Sequence, residues 1–230
     1  EASREEAPAA PEKKYGAVAV CAGAGMEAVF RDLGCDGTIS GGQTMNTSTE
    51  DILRQVNRTP AEVVYVFPNN KNIIMAAEQC VGLTEKKVVV IPSTTIPQGI
   101  AALMQFDPSL EEEELTENMK QALSSVRTLQ VTYAARDSEF EGQKIHEGDY
   151  LTLLEGKLLS TLRSFDEVCE KIGEKLGELS PEFVTVFYGE DVAEADAEKF
   201  TSRLQEMLPG AELTLVAGGQ PVYYYIISAE

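Results

Sequence analysis

Short apolar runs alternate with amphipathic stretches through the first half of the chain. The runs YGAVAVCA, EVVYVF and KVVVI predict buried strands at residues 15–22, 62–67 and 87–91, and a further short strand is predicted at Thr38–Ser40. Helical periodicity predicts helices at residues 26–33, 50–56, 72–81 and 98–106. Apolar strands that alternate with helices are typical of a parallel sheet covered on both faces. We therefore predict a first α/β domain over residues 15–127, with a mainly parallel sheet.

The pattern changes after an acidic helix that is predicted at residues 109–126. Strands joined by turns are expected at residues 129–137, 148–154 and 156–158, followed by helix 165–179, strand 183–189, helix 193–208 and two strands within 211–230. This order predicts a second α/β domain over residues 128–230, with a mixed sheet. Residues 1–14 are rich in Ala, Glu, Pro and Lys, so they are predicted to be a disordered linker.

Three polar loops precede predicted helices in the first domain. Because ligands of parallel α/β sheets gather where strand ends meet helix N-termini, the loops predict one binding surface for a ligand or a partner. Helix capping, with Ser48 or Thr49 before the second helix, and turn formation are the ordinary alternatives for each residue. The candidate residues of the loops are Gly41, Gly42, Gln43, Thr44, Asn46, Ser48, Thr49, Asn69, Asn70, Lys71, Asn72, Ser93, Thr94, Thr95 and Gln98.

Two glycine-containing segments stand beside these loops as candidates. Gly218, Gly219 and Gln220 predict either a turn between strands or a further contact surface. Gly23-Ala24-Gly25 follows a strand, as in dinucleotide-binding loops, but Ala28 stands at the third glycine position and no acidic residue ends the next strand. A nucleotide site is therefore disfavoured.

Composition narrows the classes of function. A net charge of -19 disfavours nucleic acids and anionic membranes, and leaves a basic partner protein open. Four cysteines without CxxC spacing predict reduced, buried thiols in a cytoplasmic protein. The single histidine, His146, and scattered aspartates predict no metal site and no catalytic residue, and no apolar run is long enough to span a membrane. Since the chain does not begin with Met, we expect it to be part of a longer polypeptide.

Several segments together resemble a known family. They are KYGAVAVCAGAGMEAVFRDLGCDGTISGGQTMNTSTEDI, PNNKNIIMAAEQ, VVVIPSTTIPQGIAAL and the terminal GGQPVYYYIISAE. They are similar to the C-terminal region of the dihydroxyacetone-kinase-like family typified by FakA, the kinase-bearing subunit of fatty acid kinase, over nearly all of residues 15–230. Thr47 departs from the family, which usually has Pro there.

The resemblance implies a DegV-like two-domain fold and a place in a two-subunit kinase. It implies that ATP and magnesium bind an N-terminal kinase domain absent from this chain, so that no cofactor is expected here. The implied partners are that upstream domain and FakB, a fatty-acid-binding subunit of the DegV family, whose acyl carboxylate the kinase domain phosphorylates; a homodimer through the full-length protein is also allowed.

Three hypotheses follow. The first is a non-catalytic docking or regulatory domain. The second is a DegV-type module that binds a fatty acid, or another carboxylate or phosphate, through the polar loops. The third, a kinase acting on dihydroxyacetone, is disfavoured because that chemistry usually needs a histidine, and His146 lies outside the loops.

Overall fold

The computed structural model describes residues 7–41 and 47–230, and these divide into two compact units. The first comprises the described part of Glu1–Ala22 together with Glu27–Ser125. The second comprises Gly23–Met26 and Val126–Glu230.

A four-stranded parallel sheet forms the centre of the first unit. Its strands are β1 (Lys13–Cys21), β2 (Gly37–Ser40), β3 (Ala61–Phe67) and β4 (Lys87–Val90), in the order β2-β1-β3-β4. The helices between and after them are α1 (Ala24–Asp32), α2 (Thr49–Arg58), α3 (Lys71–Gln79), α4 (Ile96–Leu103) and α5 (Glu112–Ala122), and a 3₁₀ turn follows at Leu123–Ser125.

Both faces of this sheet are buried, as its continuous apolar strands predict. On one face Val64 and Val66 pack in a core with Ile52 of α2 and Ile73 of α3. On the other face the Tyr65 hydroxyl lies 2.9 Å from the Thr116 hydroxyl of α5. The fold therefore fixes the central strands between two helical layers.

The second unit contains a six-stranded mixed sheet and a small hairpin. The strands are β5 (Arg127–Tyr133), β6 (Ser138–Phe140), β7 (Gln143–Ile145), β8 (Tyr150–Leu154), β9 (Lys157–Leu162), β10 (Phe183–Tyr188), β11 (Glu212–Ala217) and β12 (Tyr225–Ala229). The sheet order is β11-β10-β12-β5-β8-β9, with β10 and β11 parallel and the other neighbours antiparallel, while β6 and β7 pair separately. The prediction of two α/β units, one with a parallel and one with a mixed sheet, is confirmed.

Two long helices cover one face of the mixed sheet. They are α6 (Phe165–Leu179) and α7 (Glu194–Met207). Ile172 and Leu176 of α6 and Phe200 of α7 pack in one core with Val186 and Ile227 of the sheet. The helices therefore lie over the central strands β10 and β12, because those strands supply the apolar residues that the helices bury.

Most differences from the sequence predictions are at element ends. Strand β1 begins at Lys13, inside the predicted linker, and Ala9 N–H donates to the Asn57 carbonyl at 2.7 Å. The acidic helix begins at Glu112 rather than residue 109, since Asp107 forms a local turn by accepting hydrogen bonds from Ser109. The β6–β7 hairpin was not predicted, because its mostly exposed strands carry no apolar alternation.

Candidate functional site

The predicted polar residues of the first unit lie where its parallel strands end. We call the loops after β2, β3 and β4, at residues 41, 47–48, 68–70 and 92–95, the strand-end edge. Gly42, Gln43, Thr44 and Asn46 lie outside the described residues. The placement of the other loop residues follows from the parallel pairing, since all four strands point the same way.

Asn69 and Ser93 join two of these loops in the interior. The Asn69 N–H donates to Ser93 Oγ at 3.0 Å, and Ser93 Oγ donates to Asn69 Oδ1 at 2.8 Å. Asn69 Nδ2 donates to the Val20 carbonyl of β1 at 2.9 Å. Ser93 is fully buried, and Asn69 has a φ of 56°, which Asn tolerates better than most residues. The hydrogen-bonding groups of both side chains are therefore used within the fold.

Gly99 of α4 allows this pair to form. A Cβ atom at Gly99 would lie 1.9 Å from Asn69 Oδ1. Only glycine lets the helix approach the Asn69 amide this closely.

Three more predicted residues cap helices. Ser48 Oγ accepts from the Asp51 N–H at 3.1 Å, and the Asp51 side chain accepts from the Ser48 N–H, which completes a capping box on α2. Asn70 accepts from the Asn72 N–H on α3, and Thr95 accepts from the Gln98 N–H on α4. The ordinary structural role therefore accounts for all three side chains.

The remaining residues of the edge are more accessible. Lys71, Asn72 and Thr94 are exposed, and the Thr94 hydroxyl donates to Gln98 Oε1 at 3.0 Å. The Thr49 hydroxyl donates to Gln79 on α3 at 2.8 Å. These exposed groups could meet a partner without a change in the interior.

Gly41 and Thr47 meet at the start of the first loop. A Cβ atom at Gly41 would lie 1.8 Å from Thr47 Oγ1, so the close approach requires glycine. Thr47 is buried, and its hydroxyl has no hydrogen-bond partner among the described residues.

The other predicted glycine segment serves packing in the second unit. The Met26 N–H donates to the Gly218 carbonyl at 2.9 Å, and a Cβ atom at Gly25 would lie 1.7 Å from the Ala217 carbonyl oxygen. Close backbone contact thus explains the glycines of the Gly23-Ala24-Gly25 segment without a nucleotide. Gln220 is buried, and its amide nitrogen donates to the carbonyls of Phe187 and Tyr223.

A cavity of about 500 Å³ in the second unit was missed from the sequence. Its walls include five aromatic rings, those of Tyr150, Phe165, Phe200, Tyr224 and Tyr225. The rings contact one another, with centroids 4.3 Å apart for Phe200 and Tyr225 and 5.8 Å apart for Tyr150 and Tyr224. They come from β8, α6, α7 and the end of the chain, so no local motif announces the cavity.

Charged side chains complete the wall of this cavity. They are Asp166, Asp191, Asp196, Lys199 and Arg203. Arg203 Nη1 donates to Asp166 at 2.8 Å, and Arg203 Nη2 lies 3.7 Å from Glu170. Among the described residues, Asp191 and Asp196 form no ion pair within 4.0 Å.

The cysteines are free and buried, as predicted. Burial raises the pKa of the Cys21 thiol to about 12, and it raises the pKa values of Cys80 and Cys169 to about 11. Burial also raises the pKa of Cys35. These thiols stay protonated at neutral pH and are poor nucleophiles.

Two searches of the described residues were negative. No group of three or more His, Cys, Asp or Glu side chains is arranged to hold a metal ion. None of the described helices is long and apolar enough to cross a membrane.

The two α/β units define the class as a DegV-like fold. A fatty-acid-binding DegV family protein from Thermus thermophilus has a TM-score of 0.66 at 13% identity, covering 94% of this chain and 99% of that chain. The Fatty Acid Kinase (Fak) B3 protein of Streptococcus pneumoniae, solved with linoleic acid, has a TM-score of 0.65 at 12% identity, covering 94% and 99%. Likeness at these identities shows the fold alone.

Sequence similarity identifies the family. Residues 16–230 match the FakA-like C-terminal family of fatty acid kinase, and the chain belongs to it. Protein YloV of Bacillus subtilis (strain 168) is 40% identical over 230 residues, which are 100% of this chain and 41% of YloV. The chain thus spans less than half the length of this relative.

Proposed function

We propose that the chain is a non-catalytic docking domain of a fatty acid kinase. It engages a DegV-type, fatty-acid-binding subunit so that a kinase domain elsewhere in the full-length protein can phosphorylate the acyl carboxylate. The observation that carries the proposal is membership of the FakA-like C-terminal family over residues 16–230. The Fak B3 protein supports the choice of partner, because it is a kinase-system protein of the same fold that was solved with a bound fatty acid.

The strand-end edge is the docking surface that we favour. The groups that could hold a small ligand deep in this edge, those of Asn69 and Ser93, already bond to each other. What remains outside is Lys71, Asn72 and Thr94, on the loops after two neighbouring strands. Exposed polar groups of this kind form the rim of a protein interface, while a buried head-group site would need unsatisfied donors.

Calorimetry of this chain against a cognate DegV-type protein, loaded with fatty acid, tests the proposal. We expect binding, and we expect Lys71→Glu to weaken it by about threefold to tenfold, mostly through slower association, since the charge lies at an interface rim. Lys157→Glu is the matched control, because Lys157 is also exposed but begins β9 in the second unit. Absence of binding by the folded chain, alongside binding by the full-length protein, would place docking elsewhere.

A small-molecule module of DegV type is the second candidate. The cavity of about 500 Å³ in the second unit favours it, since ligand pockets are of this size and are lined mainly by apolar and aromatic groups. Native mass spectrometry of the purified chain distinguishes the two functions. A co-purified acyl ligand would support the module, and its consistent absence would leave docking as the better explanation. ATP-dependent turnover of dihydroxyacetone would instead revive the kinase hypothesis.

A further inference from the structure

We propose that the aromatic cavity of the second unit binds a small organic cation, an ammonium or guanidinium compound. The rings of Tyr224 and Tyr225 and the carboxylates of Asp191 and Asp196 would hold it. The inference is independent of the docking function, because it concerns a different surface.

The aromatic wall suits a cation better than a hydrated anion. Tyr150, Phe165, Phe200, Tyr224 and Tyr225 meet with neighbouring centroids 4.3–5.8 Å apart, so their rings form one continuous surface. Ring faces are electron-rich and attract cations. The volume of about 500 Å³ also suits a small organic molecule better than a metal ion.

Hydrogen-bonding groups remain free in this wall. Tyr225 is buried to 2% exposure, and its hydroxyl makes no hydrogen bond within the described residues, although the side chain borders the cavity. A buried phenol normally finds a partner. Burial raises its pKa, so the hydroxyl stays a neutral donor and acceptor for a ligand.

Two carboxylates lie beside these rings without a cationic partner among the described residues. Burial is the main cause that raises the pKa of Tyr224, and Asp191 adds to it; Asp196 adds in the same way to the rise in the pKa of Tyr225. Each aspartate is thus close enough to act on its ring. Asp196 lies in the first turn of α7, where the helix dipole stabilises its ionised form.

The cations already in the wall do not cancel this attraction. Arg203 is held by Asp166 and Glu170. Lys199 stands three residues after Asp196 on α7 and forms no ion pair within 4.0 Å among the described residues. Asp191 and Asp196 against Lys199 leave one net negative charge. A ligand cation would therefore be attracted by the aspartates and opposed by Lys199.

Calorimetry with choline and agmatine as probes tests the inference. The controls are 3,3-dimethylbutan-1-ol, a neutral isostere of choline, and decanoate, an anionic amphiphile. We expect choline or agmatine to bind at least about tenfold more tightly than either control. Equal binding of the neutral isostere, tighter binding of decanoate, or no binding of either cation would overturn the proposal.

Charge variants give the sharper result, because the proposal predicts opposite signs. Asp191→Asn and Asp196→Asn should each weaken cation binding about threefold to tenfold, while Lys199→Gln should strengthen it. Glu194→Gln is the matched control, an exposed acid of α7 that does not border the cavity, and should change little. These exposed positions tolerate substitution, and thermal unfolding verifies the fold. The reverse pattern of signs would identify an anion site.

Discussion

Replacing Ser93 by Ala tests whether the predicted polar loops serve the fold. Ser93 Oγ accepts from the Asn69 N–H at 3.0 Å and donates to Asn69 Oδ1 at 2.8 Å, and both side chains are buried. The substitution removes two hydrogen bonds and leaves a buried N–H and a buried carbonyl oxygen unpaired. A neutral hydrogen bond contributes about 1 kcal/mol, and an unpaired buried group costs about 1–3 kcal/mol. We expect the free energy of unfolding of the first unit to fall by about 2–3 kcal/mol.

Native-state hydrogen exchange measures this loss in the first unit alone. Amides of the central strand β3, such as those of Val64 and Val66, exchange through unfolding of the unit that contains them. Their exchange should accelerate by roughly 30- to 150-fold in Ser93→Ala, the factor that corresponds to about 2–3 kcal/mol. Thr94→Ala is the control, since Thr94 is exposed and surface changes cost within about 0.5 kcal/mol. If both variants exchange alike, the buried pair does not stabilise the unit and its polarity needs a ligand-based explanation.

Three further results are expected from other parts of the molecule. Gly25→Ala should strongly destabilise the second unit, because the new Cβ would lie 1.7 Å from the Ala217 carbonyl, whereas Gly177→Ala on open α6 should stabilise it by up to about 1 kcal/mol; thermal unfolding of both variants checks this. Stability should fall as pH rises from about 10 to about 12, since burial raises the folded-state pKa of Tyr223 to about 12 and the unfolded chain ionises first. Tyr223→Phe should reduce that loss in alkaline urea titrations. Cys169 should react with a thiol reagent far more slowly in the native than in the unfolded chain at pH 8, and equal rates would contradict its burial.

The fold was largely readable from the sequence because its signals are local. Apolar strand runs predicted all four strands of the first unit, and α6 begins and ends at the predicted residues Phe165 and Leu179. The β6–β7 hairpin escaped prediction, since exposed short strands have no core face to impose a pattern on their residues.

The sites were less predictable because their partners are distant in sequence. Asn69 and Ser93 are 24 residues apart, and nothing local shows that one side chain satisfies the other. The five rings of the cavity come from residues between 150 and 225, so they form no motif. A polar loop can therefore be recognised from sequence, whereas the use of its side chains depends on tertiary contacts.

These contacts change what the polar loops can do. Asn69 and Ser93 bond to each other, and Ser48, Asn70 and Thr95 cap helices, so their hydrogen-bonding groups are already engaged. A ligand that bound to these groups would have to break bonds that hold the strand ends together. A partner protein that contacts only the exposed residues around them would leave those bonds intact, because the buried pair and the caps keep the rim in place. Such a preorganised rim lowers the cost of ordering a surface on association, which is the physical reason for favouring docking at the strand-end edge.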